Sequence, residues 1–106
     1  MASGYILVLV TCRSRVEART IVDALIKKRL IACGTIVPPV TSVFRWKGKT
    51  EQAHECAFVA KTRRALFRKI ALEVKRLHSY EVPEIIAVPI VAGYGPYLSW
   101  IEESCA

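Results

Sequence analysis

No apolar run in this chain of 106 residues approaches the roughly 20 that a membrane-crossing helix needs; the longest, Tyr5 to Val10, is strand-sized. There is no C-x-x-C pair and no zinc-finger spacing, because Cys12, Cys33, Cys56 and Cys105 are widely scattered. A glycine-rich phosphate loop, a Ser-His-Asp or Cys-His pattern and a zinc-protease motif are all missing, so an enzyme is not expected. His78 and Glu81 stand at a spacing with only a superficial likeness to such a motif, since Pro83 stops a helix from continuing through them. Linkers, repeats and low-complexity segments are lacking too. Residues 1–106 therefore read as a single domain around one core.

What the chain does have is apolar surface. A hydrophobic content of 53% is high for a small chain without a membrane span, and it points to surface hidden between subunits. The formal net charge of +7 would favour acidic partners such as nucleic acid. Much of the excess, however, lies on two helical segments, as in Arg15, Arg19, Lys27 and Lys28, then Arg68, Lys69, Lys75 and Arg76, where charge usually solubilises. The strands are aliphatic and lack the aromatic motifs of an RNA-binding module, so nucleic-acid binding is not expected. Met-Ala-Ser-Gly leads straight into a strand without a basic segment and a longer apolar stretch, which makes the cytoplasm the expected setting. Reduced thiols follow from that setting, with Cys33 and Cys56 as small buried hydrophobes.

Tyr5 to Thr11 is continuously apolar, as in a strand covered on both faces. Ser14, with Glu17 three places on, forms a capping-box pattern for a first helix. Ala18, Ile21, Val22 and Leu25 line one face of that helix, which is expected to end near Leu30 to Ala32. Cys33 to Trp46 reads as a second strand that must bend, bulge or lie at an edge at Pro38-Pro39. Trp46-Lys47-Gly48-Lys49 is a tight turn into a return strand over about Lys49 to Lys61, with Cys56, Phe58 and Ala60 on one side. A second helix is expected from about Arg63 to Leu77 on the stripe Phe67, Ile70, Ala71, Val74 and Leu77. A strand from Pro83 to Val91 and a short helix from Tyr97 to Glu103 complete the chain. The fold class is α+β: a ferredoxin-like βαββαβ arrangement with an extra C-terminal helix, in which two helices cover one face of a four-stranded antiparallel sheet. The other face needs a cover, and another subunit is the simplest one.

Four segments carry a resemblance. They are Leu30-Ile31-Ala32-Cys33; the hairpin from Val40 to Lys49; His78-Ser79-Tyr80-Glu81-Val82-Pro83-Glu84-Ile85; and Tyr97-Leu98-Ser99-Trp100-Ile101. In that order and spacing, over nearly the whole chain, they resemble the CutA divalent-cation-tolerance family. The resemblance implies a ferredoxin-like subunit related to PII-type proteins, assembled as a stable homotrimer that binds copper or another divalent ion, with no obligatory cofactor.

By that resemblance His78, Cys12 and Glu55 lie at or near positions that metal-binding members use. Their chemistry agrees, since imidazole and thiolate suit copper and zinc while a carboxylate completes a mixed site. The plainer alternatives are a helix-terminal imidazole interacting with the last carbonyls for His78 and a strand-end thiol for Cys12. His54 reads as an exposed polar residue. Clefts between PII-like subunits hold small molecules, which makes Tyr80, Glu81 and Glu84 candidate cleft residues, with Arg45, Trp46, Lys61 and Trp100 as companions for an anionic or aromatic guest. The plainer alternative there is interface salt bridges from Glu81 and Glu84. The rival to a metal binder is therefore a signalling or scaffold trimer that binds a small anion or a protein partner in those clefts.

Overall fold

The computed structural model describes residues 4–106. Its elements run β1 (Tyr5–Cys12), α1 (Arg15–Lys27), β2 (Cys33–Trp46), β3 (Lys49–Arg63), α2 (Phe67–Leu77), β4 (Ile85–Pro89) and α3 (Gly95–Ser104). The four strands form one sheet in the order β2-β3-β1-β4, and every neighbouring pair is antiparallel. This is the expected βαββαβ arrangement, with α3 as the additional helix. Among the described residues, no helix is long and apolar enough to cross a membrane.

Strict alternation builds the core. Along β1, Ile6, Val8, Val10 and Cys12 are buried while the residues between them are only half-buried. Cys56, Phe58 and Ala60 of β3 point to the same side and meet Ile21 and Leu25 of α1, Ile70 and Val74 of α2, and Ile101 of α3. The opposite face of the sheet carries Leu7 and Leu9, flanked in register by Val59 of β3 and by Ile86 and Val88 of β4. Among the described residues nothing packs fully over it: Ile86 is 50% and Val88 40% exposed.

The element ends follow local chemistry. Ser14 caps α1 by accepting from the Glu17 amide at 3.1 Å. The helix stops at Lys27, earlier than expected, because Arg29 takes a left-handed conformation (φ 57°). The Arg29 and Leu30 amides then donate back to Ile26 and Leu25 at 2.9 Å each, the reciprocal pattern of a Schellman stop, and the buried Leu25 and Leu30 seal it. At the hairpin tip Lys47 and Gly48 both have positive φ, 50° and 80°, as a two-residue turn with right-handed strand twist requires. The β2–β3 register shifts between Val37 and Val40, so the bulge expected at the proline pair is present. A Cβ on Gly34 would lie 2.7 Å from Val22 Cγ1, and glycine at that point lets β2 pass close under α1.

Other boundaries move by a few residues. β3 continues to Arg63, which pairs with Tyr5. A 3-10 turn at Arg64–Leu66 precedes α2, which has no side-chain cap. β4 pairs only over Ile85–Pro89. All four cysteines are free; Cys56 is buried as expected, but Cys33 is only half-buried, while Cys12 and Cys105 are buried.

Candidate metal centre

Three chain segments converge where β1 ends. Cys12 is the last residue of β1, on its core side, and is fully buried. Glu17 lies in the first turn of α1. His78 caps the C-terminus of α2, its amide donating to the Val74 carbonyl at 2.9 Å. One ligand-type atom from each of Cys12, Glu17 and His78 falls within 4.8 Å of the others.

Fixed hydrogen-bond partners set the state of each group. The ring of His78 has no solvent exposure. Its Nε2 is 2.7 Å from the Thr11 carbonyl, which can only accept, so Nε2 carries the proton and donates. Its Nδ1 is 3.0 Å from the Tyr80 amide, which can only donate, so Nδ1 presents its lone pair. The imidazole is thus neutral, with its tautomer fixed by a backbone carbonyl, the arrangement found in metal-ligating histidines. Glu17 Oε1 stands 3.9 Å from Nδ1.

Glu17 serves several neighbours at once. Oε1 accepts from the Arg13 amide and Oε2 from the Ser79 amide, both at 2.9 Å. Burial works against its charge, but bonds from Ser79 and the Arg13 amide outweigh it and hold the carboxyl below its usual range. The Cys12 thiol is pushed up to about 12, first by burial and then by the charges of Glu17 and nearby groups. A carboxylate, a neutral imidazole and a protonated thiol therefore meet at one point. The donor types fit a borderline divalent ion, and the obstacle is local: the Nδ1 lone pair is already taken by the Tyr80 amide.

Of the expected ligands, Cys12 and His78 come together. Glu55 does not join their cluster; Glu17 supplies the carboxylate in its place. Glu55 is buried on β3, where its Oε2 accepts from the Tyr80 hydroxyl at 2.6 Å. Burial and that bond raise the Tyr80 hydroxyl above its ordinary range. The Tyr80 ring also packs on His78 with centroids 4.7 Å apart. His54 is exposed and pairs with Thr41 at 3.3 Å, away from the cluster. A reading of Glu17 as a cap alone misses its place beside Cys12 and His78; the available signal was that a cap glutamate just after β1 reaches back to the strand end.

Beside the cluster, the far half of the β2–β3 hairpin and the segment after α2 enclose a cavity of about 750 Å³. Trp46, Tyr80, Glu81 and Glu84 line it within this one chain, together with Glu51 and Glu55. Arg45, Lys61 and Trp100 do not. Lys61 instead reaches Thr35 and Cys33, and Trp100 packs against Tyr97 at 5.4 Å. With four carboxylates and no lysine or arginine in its lining, this cavity has the charge of a cation site rather than an anion site.

Fold and cluster together define a class: a split βαβ sandwich that gathers a thiol, an imidazole and a carboxylate at the end of its first strand. Residues 6–104 match the family described as CutA1 divalent ion tolerance protein, and the chain belongs to that family. It is 45% identical over 97 residues to the Thermus thermophilus divalent-cation tolerance protein CutA, covering 92% of this chain and 94% of that one. It is 38% identical to the Mus musculus protein CutA, where 95% of this chain spans 60% of the relative. The solved Thermus thermophilus structure superposes with a TM-score of 0.94 at 43% identity, covering 96% of this chain and 99% of that one. The Archaeoglobus fulgidus protein, described as a periplasmic divalent cation tolerance protein, gives a TM-score of 0.92 at 41% identity over 94% of this chain and 97% of its own.

Proposed function

We propose that this chain binds a divalent metal ion, copper(II) foremost, and contributes to metal tolerance as a homotrimer, with no catalytic reaction of its own. The observation that carries the reading is the state of His78. Its Nε2–H is anchored on Thr11, and its Nδ1, which accepts from the Tyr80 amide, lies 3.9 Å from Glu17 Oε1 with Cys12 at hand. His78 supplies the nitrogen, Cys12 the soft donor and Glu17 the carboxylate that balances charge. Membership of the CutA1 family supports the metal-tolerance role. The uncovered apolar face of the sheet supports assembly, and four free cysteines suit a reducing setting such as the cytoplasm. The rival anion reading meets four carboxylates in the cavity where the anion would sit.

Copper(II) titration of metal-stripped protein by calorimetry tests the proposal. Cys12→Ser and His78→Ala are each expected to weaken binding at least about 100-fold, beyond what loss of an outer-shell partner typically does. Because the Cys12 thiol must give up its proton, affinity should fall about tenfold for each pH unit of acidification. Unchanged affinity in both variants contradicts the assignment.

A further inference from the structure

Tyr80 is bonded at two ends to two different places. Its amide occupies the Nδ1 lone pair of His78 at 3.0 Å, and its hydroxyl holds Oε2 of Glu55 at 2.6 Å. Its ring packs against the imidazole at a 50° tilt, and the residue lines the acidic cavity. A donor atom cannot hold an amide proton and a metal with the same lone pair. Whatever claims Nδ1 must first move the Tyr80 amide away. The same residue is the one hydrogen-bond partner recorded for the buried Glu55 carboxylate among the described residues. The neighbouring Ser79 amide is tied separately, to Glu17 Oε2 at 2.9 Å.

We propose that Tyr80 is a latch between the Cys12–Glu17–His78 cluster and the adjacent acidic cavity: occupation of Nδ1 by a divalent ion displaces the Tyr80 backbone, loosens its hydroxyl from Glu55 and frees that carboxylate toward the cavity. This inference rests on the metal-binding reading and extends it. The cluster and the Glu55 carboxylate become coupled through one residue, so loss of the Tyr80–Glu55 bond also raises metal affinity at the cluster. Reciprocity follows from thermodynamic linkage. Glu17 is the fixed point: it keeps Ser79 in place while the chain pivots at the next residue.

The test uses the full chain, metal-stripped and isotope-labelled, with zinc(II) as a diamagnetic probe suited to nitrogen, sulfur and oxygen donors. Zinc(II) is expected to speed hydrogen exchange of the Tyr80 amide at least about tenfold while Ser79, held by Glu17, stays protected. Tyr80→Phe keeps the amide and the ring but removes the hydroxyl bond to Glu55, and it is expected to bind zinc(II) about tenfold more tightly. Cys12→Ser should abolish the exchange response at Tyr80. Zinc(II) binding with Tyr80 exchange unchanged and equal affinity in Tyr80→Phe overturns the latch alone. Absence of zinc(II) binding overturns the latch and the metal reading together.

Discussion

The two faces of the sheet are made by the same strands and end in opposite situations. On the helix side, Val8, Val10, Phe58 and Ala60 are at most 1% exposed, enclosed by all three helices. On the other side, Leu9 sits between Val59 and Ile86 in the register, as apolar as its counterparts, and no element among the described residues covers it. Period-two alternation normally separates a core face from a polar face. Here both faces are apolar over β1 and β4, which is why Tyr5 to Val10 reads as a continuous hydrophobic run. One face completes the fold of a single chain. The other is suited to complete an assembly.

The largest expected effect breaks the closed face. Phe58→Ala removes the bulkiest fully buried side chain of the core and should cost about 3–5 kcal/mol, read from denaturant unfolding at constant slope. The open face should respond differently. Leu9→Lys is expected to leave the circular dichroism of the chain intact, at a cost of under about 1 kcal/mol to the single subunit, while light scattering shows that assembly is lost. If Leu9→Lys unfolds the chain as Phe58→Ala does, the distinction between the faces fails.

The smallest effect lies outside both faces. Glu73 on α2 bonds Arg76 at 2.7 Å and Lys28 at 3.0 Å. First Arg76 and then Lys28 hold its carboxyl down at about 2, below an ordinary value of 4.5. Its folded value is depressed, so its stabilising effect is present above about 4.5 and is lost as the pH falls toward about 2. Glu73→Gln should therefore cost about 0.5–1 kcal/mol at pH 7, with wild type and variant converging only as the pH falls through about 2. A difference that persists at low pH would assign the effect to packing instead.

Much of the fold was legible because local chemistry and burial agree there. The Ser14–Glu17 cap, the Lys47-Gly48 turn and the alternation of Cys56, Phe58 and Ala60 each require one local structure and meet no competing demand. The early stop of α1 was not legible, since its left-handed position is occupied by Arg29 rather than by glycine; the seal comes from Leu25 and Leu30 closing on each other. β4 is shorter than its apolar run because only Ile85–Pro89 find partners on β1. For the site, the pairing of Cys12 with His78 followed from family position and topology. The carboxylate did not: Glu17 and Glu55 both approach the end of β1, and only side-chain geometry separates the one facing Nδ1 from the one held by Tyr80. The charge of the cavity was missed for a similar reason. Along β2, Val43, Phe44 and Trp46 all reach it while Arg45 between them does not, which strand alternation alone does not determine.

Native mass spectrometry of the metal-stripped protein, before and after copper(II), tests the account most directly because it reads the open face and the cluster in one spectrum. The account predicts three chains that remain associated and take up three copper ions, one at each Cys12–Glu17–His78 cluster. A single chain, or an assembly that stays metal-free under excess copper(II), would contradict it.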